Sequence, residues 1–249
     1  MVKKHIIIPA RLQSTRLPDK PLIDIAGKPM IAHVYDQAKK CGFDTTIIAT
    51  DSTKIADAAH SFGADVCMTK TTHASGTERI AEVVDKREIP DDDIIINVQG
   101  DEPLLPVDNI LQVASLLSQH NDAVMATLCE QIDDAEDIFD PNCVKVVLSD
   151  KGYALYFSRA PIPWQRGIFD QKQAQLGQHY RHIGLYAYRA GFLKRYADMQ
   201  KSPLEVIESL EQLRVLWHNE KIAIAEARQK TPLGVDTYED LEKIRALFS

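Results

Sequence analysis

Three consecutive β-branched residues, Ile6, Ile7 and Ile8, end at Pro9 and are followed by a loop that carries Arg11, Arg16 and Lys20. A continuous apolar run of this kind, without alternation, marks a central strand covered on both faces of a parallel sheet. Proline ends it, because it has no N–H to give to a neighbouring strand. The second such run, Ile94 to Val98, stops at Gln99-Gly100-Asp101-Glu102-Pro103. Between and beyond them the chain alternates strands with helices. Thr45–Thr50 and Asp65–Met68 read as strands, as does the stretch around Val124 to Leu128. Met30, Ile31, Val34, Tyr35 and Ala38 recur at helical spacing, a helix capped by Asp51 runs to Phe62 with Gly63 as its stop, and another spans Val107–Gln119. Alternation of this sort predicts an α/β fold, a Rossmann-like, doubly wound and mostly parallel mixed sheet.

Past Asp133 the rhythm changes. Val144–Leu148 and Tyr153–Phe157 flank Ser149-Asp150-Lys151-Gly152, a hairpin signal, and RAPIPWQRG from Arg159 reads as an excursion from the main sheet. Residues 170–178 are polar and Gln-rich, which suits a mobile surface segment. Arg181 to Tyr188 alternates as a strand returning to the sheet. Helices follow over Ala190–Met199 and Pro203–Asn219, then a strand at Ile222–Glu226 and a last helix over Tyr238–Phe248. The expected division is an α/β core at 1–130, a smaller appended lobe at 131–221, and a C-terminal strand and helix at 222–249 that rejoin the core.

In open α/β sheets ligands bind outside the carboxyl ends of the strands, so the loop after Ile8 is a site candidate. Its three cations run against the balance of the chain, which holds 29 Lys+Arg against 36 Asp+Glu, a formal charge of −7. That balance speaks against nucleic acid or an anionic membrane as partner, because both require a basic face. A small polyanion fits instead. Neither G-x-x-x-x-G-K-[ST] nor G-x-G-x-x-G is present, so phosphate binding falls to the cations and backbone amides of the Ala10–Pro18 loop, with Arg11 suited to forked contact and Lys20 to a point contact. Asp101, just past a buried strand, is a candidate metal ligand. Asp236, in Gly234-Val235-Asp236-Thr237, reads on position either as a cap of the last helix or as a second ligand, since Mg²⁺ is held by one or two carboxylates plus substrate phosphates. Cys41, Cys67, Cys129 and Cys143 form no C-x-x-C pair and read as small buried hydrophobes. The apolar run before Pro9 is too short for a signal peptide and no stretch approaches a membrane span, which makes the cytoplasm the expected compartment.

As a set, IPARLQSTRLPDKPL, ASGTER, NVQGDEP, ALYFSRAPIP, RHIGLYAYR, LEQLRVLW and GVDT resemble the 3-deoxy-manno-octulosonate cytidylyltransferases, or CMP-Kdo synthetases. The motifs fall in order across nearly the whole chain. The resemblance implies a nucleotidyltransferase fold and the transfer of CMP from CTP to the anomeric hydroxyl of Kdo, with pyrophosphate released and the activated sugar passing to lipopolysaccharide assembly. It implies Mg²⁺ on Asp101 and Asp236, and a catalytic set of Arg11, Lys20, Asp101 and Asp236. Nucleotide contacts are implied for Pro9, Ala10, Arg11, Lys20, Ser75, Gly76, Gln99 and Asp101, with Ser75 and Gly76 reading cytosine. Sugar contacts are implied for Arg16, Gln99, Arg159, His182, Tyr186, Glu211 and Gln212, and a homodimer for the assembly. Leu210, Leu213 and Leu216 read as core or dimer contact. Two rival readings remain open at this point: a cytidylyltransferase for another acidic sugar, such as a sialic acid or an amino-substituted octulosonate, and a catalytically inactive relative that binds nucleotide or dimerises.

Overall fold

The computed structural model describes residues 2–12, 17–169, 173–232 and 234–248. Arg16, one of the expected sugar contacts, lies outside them. In chain order the elements are β1 (Lys4–Ala10), the two-residue strands β2 (Asp24–Ile25) and β3 (Lys28–Pro29), α1 (Met30–Lys40), β4 (Thr45–Thr50), α2 (Thr53–Ser61), β5 (Asp65–Met68), α3 (Gly76–Lys86), β6 (Ile94–Asn97) and α4 (Val107–Gln119). The second half contributes β7 (Met125–Gln131), α5 (Ala135–Phe139), β8 (Lys145–Leu148), β9 (Ala154–Ser158), β10 (Tyr180–Arg189), α6 (Ala190–Tyr196), α7 (Pro203–Glu208), α8 (Gln212–Trp217), β11 (Ile222–Glu226) and α9 (Tyr238–Phe248).

Seven strands run in the order β11-β7-β10-β6-β1-β4-β5, and β8 and β9 extend the same sheet from β10. β1 pairs in parallel with both β4 and β6, so the loops after Ala10 and after Asn97 leave the sheet at one edge. The chain moves outward from β1 through β4 to β5 and then returns to β6 on the other side of β1. The crevice between the carboxyl ends of β1 and β6 is therefore the switch point of the sheet, where open α/β folds bind ligands. β10 is the antiparallel member, inserted between β6 and β7. Arg181–Tyr188 thus returns to the main sheet as expected, and does so as a central strand.

The run Ile6-Ile7-Ile8 is fully buried because the two faces of β1 serve two cores. Ile6 and Ile8 pack with α1 and α4 residues such as Ile31, Val34, Ile110 and Val113. Ile7 faces Ile80, Val83, Phe192 and Leu213 of α3, α6 and α8. Each buried Ile side chain contributes about 1.5–3 kcal/mol, which anchors the strand from which the first loop departs. A third cluster, Leu17, Ile25, Met30, Val235, Leu241 and Ile244, ties α9 and the segment before Asp236 to the loop that bears Lys20.

Five local expectations change. β1 does not stop at Pro9 but runs on to Ala10, which pairs with Thr50 of β4. Ser52, not Asp51, caps α2, accepting the Ile55 N–H, because Asp51 is taken by Arg79 at 2.9 Å. Residues 71–79 read from sequence as a polar, flexible run leading into a helix at Ile80, but Ser75 caps α3 by accepting the Glu78 N–H, and the helix already begins at Gly76. The helix expected over Pro203–Asn219 is broken at Ser209, which has φ 53° and splits it into α7 and α8. Of the four free cysteines, Cys67 and Cys129 are buried, while Cys41 and Cys143 are only half-buried. Leu210 and Leu213 are core residues and Leu216 packs beside them.

Candidate active site

Two cavities open at the switch point. One, of about 750 Å³, is lined by Pro9, Ala10, Arg11, Lys20, His73, Ser75, Gly76, Arg79, Gln99, Gly100 and Asp101. The other, of about 880 Å³, runs beneath β10 and α8 past Asn97, Arg181, His182, Tyr186, Tyr188, Tyr196 and Gln212. Gly76, Gln99, Glu211 and Asp236 line both. Both volumes fall within the range of small-molecule sites.

At the junction stands Lys20. Its ammonium donates to Asp101 at 2.6 Å and to Asp236 at 2.9 Å, so two carboxylates remote from each other in the sequence converge on one cation. Burial lowers the Lys20 pKa, but the two ion pairs outweigh it and leave it raised. The convergence is built from the backbone. β6 delivers Asp101 through the Gln99–Glu102 turn, and the Val235 N–H donates to the Asp101 carbonyl at 2.9 Å, which brings Asp236 alongside. Thr237, rather than Asp236, caps α9, its hydroxyl accepting the Asp240 N–H. Gly100 makes the approach possible: a Cβ there would lie 2.9 Å from the Pro9 carbonyl oxygen, inside any normal contact. Next to Asp101, burial first and Asp101 second push the Glu102 carboxyl up to about 8, so it adds no charge at neutral pH.

The donor set suits magnesium. Among the described residues no group of three or more His, Cys, Asp or Glu side chains is arranged to hold a metal. Two carboxylates that already share one cation, facing a loop with Arg11 and Lys20, match an ion that takes few protein ligands and completes its shell with phosphate and water.

The first cavity also receives the start of α3. Ser75 and Gly76 sit there beside Pro9, whose Cγ would lie 3.5 Å from a Cβ at position 76. Behind this loop Arg79 is buried and donates to Thr69 and Asp51, while His73 and the Lys70 N–H both bond Glu82. Its base is therefore a fixed polar scaffold.

In the second cavity His182 donates from Nε2 to the Thr127 hydroxyl, 3.0 Å away, because the Thr127 hydroxyl proton is claimed by the carbonyls of Ile183 and Leu185. Nδ1 is left as an acceptor. Burial depresses the His182 pKa to about 3, so the ring is neutral. The Tyr186 ring centroid lies 5.3 Å from that of His182, and burial drives its phenol pKa well up. Burial also raises the Glu211 pKa, opposed by hydrogen bonds from Thr77 and Ser75, which link it to the cap of α3.

Of the expected contacts, Pro9, Ala10, Arg11, Lys20, Ser75, Gly76, Gln99 and Asp101 gather in the first cavity, and Gln99, His182, Tyr186, Glu211 and Gln212 in the second. Arg159 does not join them. Its guanidinium donates to the carbonyls of Glu208 and Pro141, which commits it to holding α7 against the loop before β8. Sequence reasoning missed Asn97, Thr77, Arg181, Tyr188 and Tyr196. Asn97 had a readable signal, a polar residue inside a buried apolar strand.

A family model described as cytidylyltransferase matches residues 5–222. Over all 249 residues the chain is 58% identical to a 3-deoxy-manno-octulosonate cytidylyltransferase of Francisella tularensis subsp. novicida, and the match spans the whole of both proteins. The corresponding protein of Photobacterium profundum is 56% identical over 244 residues, 98% of each chain. Among solved structures, a CMP:2-keto-3-deoxy-manno-octonic acid synthetase complexed with CTP superposes with a TM-score of 0.90 at 42% identity, covering 99% of this chain and 98% of that one. A 4-diphosphocytidyl-2C-methyl-D-erythritol synthase shares the fold alone, with a TM-score of 0.65 at 14% identity. The motifs, the switch-point site and these likenesses agree: the chain belongs to the cytidylyltransferase family, in its 3-deoxy-manno-octulosonate branch.

Proposed function

We propose that this protein transfers CMP from CTP to the anomeric hydroxyl of Kdo, giving CMP-Kdo and pyrophosphate for lipopolysaccharide synthesis. The observation that carries the reading is Lys20 bridging Asp101 and Asp236, the latter shared by two cavities, one of which also holds Arg11 and Lys20 and the other His182, Tyr186, Tyr188 and Gln212. A triphosphate belongs in the first and a hydroxyl-rich acceptor in the second, with the α-phosphorus at their junction. The sugar oxygen attacks that phosphorus, its proton passes to solvent water, and the bond between the α-phosphorus and the oxygen bridging to the β-phosphate breaks, releasing pyrophosphate.

Arg11 and Lys20 neutralise the departing pyrophosphate, Ser75 and Gly76 present the α3 cap to the base, and Gln99 spans both substrates. His182 Nδ1 accepts from a sugar hydroxyl, while Tyr186 and Gln212 fix the ring. Asp101 and Asp236 would hold a Mg²⁺ ion, which when bound neutralises phosphate charge and acidifies the attacking hydroxyl. The chain's own share of catalysis is positioning and fixed charge.

The protein acts as a homodimer in the cytoplasm on this reading. Leu155, Val206, Ile207 and Trp217, exposed on β9, α7 and α8, supply apolar surface for a second copy, and four free cysteines fit a reducing compartment. No helix among the described residues is long and apolar enough to cross a membrane. Light scattering of the purified protein reads the oligomer directly.

The reaction is tested by pyrophosphate release with Mg²⁺, CTP and a panel of sugar acids. Release is expected with Kdo. Release only with a sialic acid or an amino-substituted octulosonate moves the substrate and keeps the chemistry, and no release with any acceptor makes the chain an inactive relative.

A further inference from the structure

Behind Gln99 the second cavity continues into a recess that the residue roles above do not use. Asn97, the last residue of β6, lines the same cavity as Gln99 two residues further on, and pairs in register with Tyr186 of β10. Its other walls are Thr77 at the start of α3, Tyr188 on β10, Tyr196 at the end of α6, and Glu211 and Val215 around α8. Asn97 is 2% exposed and Tyr196 1%.

Both carry a buried polar atom with no hydrogen-bond partner among the described residues: Asn97 Oδ1 and the Tyr196 hydroxyl. The neighbouring groups do find partners. Tyr188 is hydrogen-bonded by Thr77 and Asn97, and Glu211 by Thr77 and Ser75. The Tyr196 ring lies 4.4 Å from the Arg214 guanidinium, which is itself held by both oxygens of Glu205, and Arg181, which lines the same cavity, is paired with Glu130, so among the described residues neither arginine is left free. Buried polar atoms are seldom left unmet, and two facing one cavity mark a place where something else meets them.

The chemistry of that occupant is constrained. Asn97 Oδ1 and the Glu211 carboxylate accept, and the Tyr196 hydroxyl does either, so the recess asks for neutral hydroxyl groups and repels a carboxylate. A 2-keto sugar acid carries its carboxylate on the anomeric carbon, and that carbon must sit at the Asp101–Asp236 junction for transfer to occur. Its carboxylate is thereby kept at the charged end. The hydroxyls of its exocyclic tail, on the far side of the ring, are the part that can reach inward.

We infer that Asn97 and Tyr196 form a subsite for the tail hydroxyls of the sugar acid and so make the enzyme selective for the full-length acceptor. The inference rests on the Kdo-transfer reading and deepens it. Neither residue touches the nucleotide in this arrangement, so the effect belongs to the acceptor alone.

The test is a cycle of two proteins and two acceptors: wild type and Tyr196→Phe, each with Kdo and with its 7,8-dideoxy analogue, followed by pyrophosphate release. The wild type is expected to use the analogue with kcat/KM lower by about tenfold, the scale of a lost hydrogen bond that leaves a buried group unpaired. Tyr196→Phe should lower kcat/KM for Kdo by about fivefold, through KM, leave KM for CTP within about twofold, and have no effect with the analogue. Asn97→Ser should repeat the pattern, and thermal melts of both variants show that they fold. Equal losses with both acceptors would assign Tyr196 a structural role and overturn the inference. A wild type that treats the two acceptors alike would mean that water fills the recess, and would overturn it as well. No pyrophosphate release from Kdo by the wild type removes the transfer reading and the subsite with it, whereas normal release with a flat cycle removes the subsite alone.

Discussion

The two ends of the site, which the proposed function assigns to the triphosphate and to the sugar, are built in different ways. The triphosphate end is made of loops that each follow a parallel strand directly: Arg11 and Lys20 after β1, Asp101 after β6. The sugar end is assembled from β10, an antiparallel insertion, and from the broken α7–α8 helix pair, with His182, Tyr186 and Gln212 held by packing between remote segments. Charge and strand edges decide the first. Burial and neutral hydrogen bonds decide the second. The difference separates what each end can tolerate: the charged end fails when a charge is lost, while the neutral end fails when a shape or a protonation state changes.

The sharpest test of the charged end is Asp101→Asn, which keeps the shape and removes the charge. Turnover should fall by about a thousandfold with an unchanged circular dichroism melt. Wild-type rates in that variant would take Asp101 out of the proposed metal site and erase the contrast. Removing divalent cations with EDTA should cost at least about a hundredfold, and Mg²⁺ should restore the rate.

Gly100→Ala probes the shared backbone rather than either charge. The added Cβ meets the Pro9 carbonyl at 2.9 Å, so the two strand-end loops must part, with a stability loss of about 2–3 kcal/mol in urea unfolding and weaker CTP binding. His182 probes the neutral end. Its folded pKa of about 3 lies below the unfolded value near 6.5, so the unfolded chain binds the proton first as pH falls, and stability is lost from pH 6.5 down toward pH 3. Between pH 7 and pH 5 the wild type should lose about 2 kcal/mol more than His182→Gln, measured as urea midpoints at each pH. Equal losses would place a charged imidazole in the cavity. The smallest effect is expected at Glu211, which lines both cavities: Glu211→Gln should raise KM for CTP and for the sugar by about threefold each. A change confined to one substrate would return Glu211 to one end only.

The same contrast explains what the sequence discloses. The charged end is legible because its residues follow contiguous apolar runs, and a run such as Ile6–Ile8 specifies a buried strand whatever lies around it. The antiparallel direction of β10 is not legible, since the alternation in Arg181–Tyr188 is the same for either direction. The break at Ser209 is hidden too: no glycine or proline marks it, and apolar residues continue at helical spacing on both sides. The position of the Arg159 guanidinium is not legible either, because its motif fixes the strand but not the side chain, and the carbonyls it bonds belong to Glu208 and Pro141. Asp51 and Ser52 are both good caps, and only the buried Arg79 decides which is free to serve.

The central claim is that one bond forms where the two cavities meet. Kdo labelled with ¹³C at its anomeric carbon, incubated with CTP and Mg²⁺, reports that bond by NMR. The account predicts a ¹³C signal newly split by ³¹P, growing in step with pyrophosphate. Pyrophosphate release with no such splitting would mean that the chain hydrolyses CTP without joining it to the sugar, and would contradict the account.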